Sequence, residues 1–297
     1  MIRGPLIGLA LAALGCAGTQ VVSIPPAAPA PRPAQVEPPR IEGQEGLSAL
    51  QGELRLLARM DGVHLAATGL ERPRFVLALE GGRVPGSARG AGAGFRIEPL
   101  AAAFEGRVAP DCRAAPSSEA GAEGEPPAHP RLELSLDPRL PYETVARLVY
   151  TAGQVGFCSL DFVILVEGGE GLEHEAGVRL QLPAWPAERG VRLFVEASRM
   201  AIESREGPFS CARHRGASPD GTIPRDRDGL DRALVLRCLS LMPRRLRRSD
   251  AITLVFSPDE PFAEVVRLLA GVALHFGTRI LAIEPQAWSQ EERARSD

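Results

Sequence analysis

The chain contains no lysine and no asparagine, so all 34 of its basic residues are arginine. Coding bias in a GC-rich genome accounts for that swap, and arginine abundance by itself is no sign of nucleic acid. Aromatic residues make up only 5% of the chain, none is interleaved with arginine as a base-stacking groove would require, and the net charge is −3. A nucleic-acid partner is therefore not expected.

Catalytic and metal signatures are missing as well. The five histidines, His64, His129, His174, His214 and His275, fall into no metal-binding pair, and no two cysteines have Cys-x-x-Cys spacing. No serine sits in a Gly-x-Ser-x-Gly elbow, and the glycines at 81, 82, 90, 92 and 94 lack the lysine of a phosphate loop. The acidic stretch "DRDGLD" at 226–231 would, in an EF-hand register, put Pro224 and Val235 at the first and twelfth positions, where neither side chain can hold calcium. The chain reads as a non-enzyme without metal or cofactor.

Long hydrophobic runs are absent too. The longest near the start, residues 6–14, follows Arg3 and ends at Gly15-Cys16. As a helix those residues span roughly 14 Å, half of a ~30 Å hydrocarbon core, so they read as a secretion signal. Its end, "ALGC", resembles a bacterial lipobox, which makes Cys16 the expected lipidation site, and Ala17 after it favours the outer membrane over the inner. Several acyl chains, at about 0.8 kcal/mol per buried CH₂, would anchor the chain permanently to the periplasmic face of the envelope. The proline-dense segment that follows, "PPAAPAPRPAQVEPPR", cannot build a core and reads as an extended stalk.

What the sequence does have is a repeat. "LELSLDPRLPYETVARLVY" at 132–150 matches "ITLVFSPDEPFAEVVRLLA" at 252–270 without a gap. Leu134/Leu254, Pro138/Pro258, Pro141/Pro261, Val145/Val265, Arg147/Arg267 and Leu148/Leu268 coincide, with Tyr142 facing Phe262. Upstream, Gly-Val-x-Leu occurs at 62 and again at 177, which suggests units running from near 61 to 167 and from near 176 to 285. With 297 residues, 44% of them apolar, two ordinary domains fit.

In the second unit the pattern predicts strands over 191–197 and 200–204, a loop over 205–224, a helix capped by Asp228 with Asp231 three places on, a strand over 251–256, a helix from Pro261 to Phe276 and a strand over 279–284. The first predicts a strand over 75–79, a helix over 95–108, a strand over 132–136, a helix over 141–154 and a strand over 159–166, with long Gly/Ala/Pro-rich loops at 81–94 and 109–130. The expected class is α+β: two tandem two-layer sandwiches of order ββαβαβ. The domain boundaries are a signal at 1–16, a proline-rich linker at 17–44, domains at 45–168 and 169–287, and a tail at 288–297.

Strand, Asp137, hydrophobic-Pro141-Tyr142, amphipathic helix, glycine and final strand together resemble the C-terminal half of the ExbD/TolR periplasmic domain, as do Pro261 and Phe262 in the second copy; "GVRLQLPAW" is similar to that domain's opening. The resemblance implies partners among the envelope proteins of a TonB/Tol-type motor or stator, or peptidoglycan, and a pseudo-dimer made within one chain. Family members conduct protons through an acidic residue in a transmembrane helix. This chain has no acid before Glu37 and no such helix, so an accessory interaction role without proton conduction is expected. Asp137, replaced by Ser257 in the other copy, reads as a local backbone cap.

Once Cys16 is set aside, four cysteines remain, Cys112 and Cys158 in one unit and Cys211 and Cys238 in the other. An exported chain makes them candidate disulfides with three connectivities open, the within-unit pairs favoured. The densest basic cluster, "PRRLRR" at 243–248, reads as a solvated helix end or a contact for anionic lipid or peptidoglycan.

Overall fold

The first sheet grows from strands whose apolar residues alternate. In the computed structural model, which describes residues 38–42, 50, 54–67, 72–90, 95–105, 131–157, 159–167, 173–181, 191–204, 206–226, 229–242, 251–276 and 280–283, the chain enters through β1 (Arg40–Glu42). β2 (Leu54–Ala58) turns Leu54, Leu56 and Ala58 inward and leaves Arg55 and Leu57 half-buried on the other face. β3 (Gly62–Ala67) and β4 (Arg74–Ala78) continue as an antiparallel meander. Helix α1 (Glu98–Phe104), β5 (Arg131–Leu136), helix α2 (Tyr142–Val155) and β6 (Ser159–Glu167) follow.

β5 pairs parallel to β2, and β6 parallel to β5. The chain thus steps one way across the sheet through two helical crossovers, and because such crossovers are right-handed, α1 and α2 lie on the same face. Leu132, Leu134 and Leu136 of β5 and Leu160, Phe162, Ile164 and Val166 of β6 point into that buried layer. α2 starts after extended Pro141 and stops at Gly156, whose φ of +110° suits glycine and whose N–H returns to Ala152 O and Gly153 O.

β7 (Glu173–Gln181) runs antiparallel along the whole of β6, so β5 and β1 share the opposite edge of that strand. On the face away from the helices, Arg55, Glu133, Asp161 and Arg179 stand in one cross-strand row. Glu133 and Asp161, only 2% and 1% exposed, are bound by Arg55 at 2.9 Å and Arg179 at 3.1 Å respectively.

The second half repeats this plan. Its elements are β8 (Val191–Val195), β9 (Arg199–Ser204), β10 (Gly207–Phe209), β11 (Ile223–Asp226), β12 (Gly229–Leu230), α3 (Arg232–Ser240), β13 (Ala251–Phe256), α4 (Phe262–Phe276) and β14 (Ile280–Ile283). The strand order β14-β13-β8-β9-β11 reproduces β6-β5-β2-β3-β4, with the same parallel and antiparallel neighbours. Residues 35–297 form one compact unit that holds both sheets. The class is α+β.

Several expectations need correction. Each half places a third strand, β4 or β11, before its first helix, so the order is not ββαβαβ. Gly62 and Gly177 are not equivalent: one opens β3, and the other lies mid-way in β7 opposite Val163, on the first sheet. The strand that matches β8 is β2, built from Leu54, Leu56 and Ala58. β10 and β11 occupy parts of the loop expected over 205–224. The first-half helix begins at Glu98, not 95, because Ile97 is extended and bridged to Arg89. Asp231, rather than Asp228, caps α3, since the β11–β12 hairpin keeps the chain extended through Leu230. The proline-rich linker is pinned before residue 44: Pro38 and Pro39 are buried, and Leu165 N donates to Pro39 O at 3.0 Å.

Among the described residues no helix is long and apolar enough to cross a membrane.

Candidate interaction site

The repeated segments meet each other. Pro141 and Pro261 form an antiparallel bridge, and the bonds around it come in matched pairs. Tyr142 N donates to Glu260 O at 2.7 Å while Phe262 N donates to Leu140 O at 2.8 Å. Glu143 N donates to Pro258 O at 3.0 Å and Ala263 N to Pro138 O at 2.9 Å. Every donor and acceptor on one side has its counterpart 120 positions away on the other. The free N–H groups of the first turn of each helix, which have no partner inside their own helix, are thereby satisfied by the turn preceding the other helix.

Each turn is held in the same way. Asp137 N reaches Ala58 O at 2.9 Å as Ser257 N reaches Val195 O at 3.0 Å; Leu140 N closes on Asp137 O and Glu260 N on Ser257 O, both at 3.0 Å. Proline at the next position supplies the extended φ that ends the turn and lacks an N–H that would otherwise need a partner.

The aromatic residues then cross over. Tyr142, 1% exposed, sits 5.3 Å from the Phe256 ring and donates its hydroxyl to Leu254 O at 2.7 Å. Phe262 packs edge-on to Phe162 at 4.9 Å. The symmetry is one of backbone; the side chains differ.

Charge fastens the rim. Arg83, carried by the turn after β4, pairs with Asp259 of the second half and lies 3.6 Å from Glu143. That turn needs Gly82: its φ is +81°, and a Cβ there would meet Met60 Sδ at 2.9 Å. Thr144 Oγ1 donates to Gly82 O at 2.7 Å. Behind the seam, Glu260 is 6% exposed and takes a two-pronged pair from Arg225 of β11, one prong at 2.6 Å, which raises the arginine's pKa. Phe256, Leu230, Leu268 and Arg267 line a shallow cleft beside that pair.

Of the residues singled out from sequence, Pro141, Tyr142, Pro261 and Phe262 converge on the seam. Asp137 is at its edge and makes local contacts: its Oδ1 accepts from Arg139 N at 2.9 Å, and its carboxylate pairs with the Arg139 guanidinium. That guanidinium, helped by the same residue's backbone N–H and outweighing burial, holds the carboxyl below its usual range. Cys211 and Cys238 form a disulfide that ties the loop after β10 to α3. Cys16, Cys112, Cys158, His129 and the 243–248 cluster lie outside the described residues.

His64 stands on β3 edge-on to Phe75, His174 is exposed on β7 and His214 is in the loop after β10. No group of three or more His, Cys, Asp or Glu able to hold a metal occurs among the described residues. Sequence reading missed Arg83, Asp259, Arg225 and Glu260. Glu260 faces Leu140 in the aligned repeat, and a charge where its twin is apolar was the available signal.

No family model, no curated protein and no solved structure matches this chain.

Proposed function

We propose that the chain is a non-enzymatic, lipid-anchored interaction module on the periplasmic face of the cell envelope. Its halves are tandem domains similar to the ExbD/TolR periplasmic domain, joined as a pseudo-dimer inside one chain. It serves a TonB/Tol-type energy-transducing system as an accessory and conducts no protons itself. The observation that carries this reading is the reciprocal pairing of 138–143 with 258–263, which joins two sheets of like strand order through the turns that carry the repeat. A body built that way has no need of a second chain to complete it, and its binding surfaces are the strand edges left over.

β4 ends the first sheet and bears Phe75, 56% exposed, with Arg74 beside it. An edge of this kind offers unpaired backbone groups to an extended partner strand. A photo-crosslinking amino acid placed at Phe75 in intact cells, followed by identification of the captured protein, tests the reading. Capture of a stator or energy-transducing protein supports it. Retention on purified sacculi with no protein captured replaces it with a structural peptidoglycan-binding role.

A further inference from the structure

The two halves differ in length where the second strand of the meander joins the third. In the first half, residues 68–73 make that connection; in the second, residues 205–222 do, and most of this added length is firmly built. Cys211 N bonds Gly221 O at 2.9 Å and Ser218 N bonds Thr222 O at 2.8 Å, closing the base of the loop. Two turns follow inside it, His214 N to Cys211 O at 2.9 Å and Ala217 N to His214 O at 3.1 Å. The Cys211–Cys238 disulfide, with Cα atoms 5.6 Å apart, then clamps the loop onto α3.

What this clamped loop displays is positive charge. Arg213 and Arg215 follow Cys211 by two and four positions and are exposed, and Arg237 precedes Cys238 by one and is also exposed. Among the described residues neither Arg213 nor Arg215 has an ion-pair partner, and Arg237 Nε donates to Ala233 O of its own helix at 3.1 Å. Of the two acids in this connection, Glu206 sits in the tight turn between β9 and β10, and Asp220 accepts from Thr222 N and Oγ1 and lies 3.8 Å from Arg199. Three exposed arginines thus lie within four residues of the two bridged cysteines, and among the described residues no ion pair ties any of them to a carboxylate.

We propose that this disulfide-braced loop is a contact for anionic phospholipid headgroups. Guanidinium groups bind phosphate oxygens in a forked geometry and lose little hydration in doing so. A loop already fixed by hydrogen bonds and a disulfide gives up little conformational freedom on contact. Several outward-facing arginines on a turn suit a plane of many phosphates better than a single shaped ligand. The choice of a bilayer rests on the envelope location proposed above, but the test below does not use the anchor.

The full chain carrying Cys16→Ser, which cannot be acylated there, is mixed with vesicles of phosphatidylcholine alone or of phosphatidylcholine containing phosphatidylglycerol. Binding is expected only to the anionic vesicles and to weaken as salt rises. Arg213→Ser/Arg215→Ser in the same background is expected to weaken it roughly thirty-fold, from the usual contribution of a basic residue near an anionic surface. Cys211→Ser/Cys238→Ser keeps both arginines and is expected to weaken binding as well, provided circular dichroism shows the fold intact; where it does not, the arginine variant alone decides. Equal binding by the arginine variant and its parent would overturn the proposal. So would binding to purified sacculi with none to vesicles, and an intact disulfide variant that binds like the parent would remove the bridge from it. Loss of vesicle binding leaves the acylation of Cys16 untouched, since mass spectrometry of the envelope-extracted chain reads that separately.

Discussion

The hydroxyl of Tyr142 donates to the carbonyl of Leu254 at 2.7 Å, a bond from the first helix turn of one half to the central parallel strand of the other. Phe262, its counterpart, has no hydroxyl and reaches Phe162 through ring contact alone. Tyr142→Phe should therefore make the seam more symmetric and less stable. A buried carbonyl that loses its donor costs about 1–2 kcal/mol, and the ring contact with Phe256 survives the change. Urea denaturation should show a lower midpoint with an unchanged slope; an unchanged midpoint would mean that the hydroxyl contributes nothing.

The seam was visible in the sequence as a repeat but not as a contact. Residues 132–150 and 252–270 announced themselves because each carries a strand period, a proline and a helix period in one run, and the three signals agree. Nothing in either segment says that it pairs with the other, since backbone hydrogen bonds leave no side-chain signature. Gly-Val-x-Leu at 62 and 177 misled for a related reason. Alternation is common to all half-buried strands, so it marks a strand without saying which one. β2 was missed although Leu54, Leu56 and Ala58 alternate, because it follows a proline-rich segment and only its parallel pairing with β5 shows that it is central. The Arg225–Glu260 pair joins residues 35 positions apart on different elements, a relation fixed by tertiary structure alone.

The rings of Phe162 and Phe262 should be coupled energetically across the halves. Phe162→Leu and Phe262→Leu, made singly and together, form a double-mutant cycle with an expected coupling of about 0.5–1.5 kcal/mol. The comparison pair is Phe104 and Phe157, at 5.0 Å within the first half. If the seam joins the halves into one cooperative body, both cycles shift a single unfolding transition. A transition that splits, with Phe262→Leu lowering only one part, would show halves that unfold independently.

Removing the Cys211–Cys238 bridge should destabilise the second half. The bridge closes a chain segment of 27 residues, and the entropy it takes from the unfolded chain is worth on the order of 3–4 kcal/mol. Cys211→Ser/Cys238→Ser should lower the thermal midpoint in non-reducing buffer, while adding a reductant to the parent should reproduce the shift. Insensitivity of the parent to reductant would indicate that the bond is not formed in solution.

Glu260 and Arg225 should be more harmful to lose singly than together. Glu260→Gln leaves a largely buried guanidinium without its carboxylate, and Arg225→Met does the reverse, each costing about 2–4 kcal/mol. The double variant removes both charges and should recover much of that loss, since an uncompensated buried charge, rather than the missing attraction, dominates each single penalty. Because the Glu260 backbone accepts from Tyr142 N irrespective of its side chain, the seam itself should persist in all three. Additive losses in the double variant would assign the pair a net attractive role instead.

Asp137 should give the fold an acid-sensitive edge. The Arg139 guanidinium and backbone N–H stabilise its ionised form, so the folded-state pKa lies below the unfolded value of roughly 3.9. A group whose folded pKa is depressed contributes stability that is fully present above the unfolded value and is lost as pH falls through the folded one. Asp137→Asn keeps an oxygen for Arg139 N but loses the charge, so the variant should be less stable than the parent at neutral pH. The gap should narrow as the pH drops below about 4 and close once the parent carboxyl is protonated. Denaturant midpoints of both chains across that range give the comparison, and a gap that stays constant from neutral to acid would show that the charge plays no part. Ser257, which occupies the same place in the second half with no titratable group, is the internal control: Ser257→Ala should shift stability by an amount that does not change with pH.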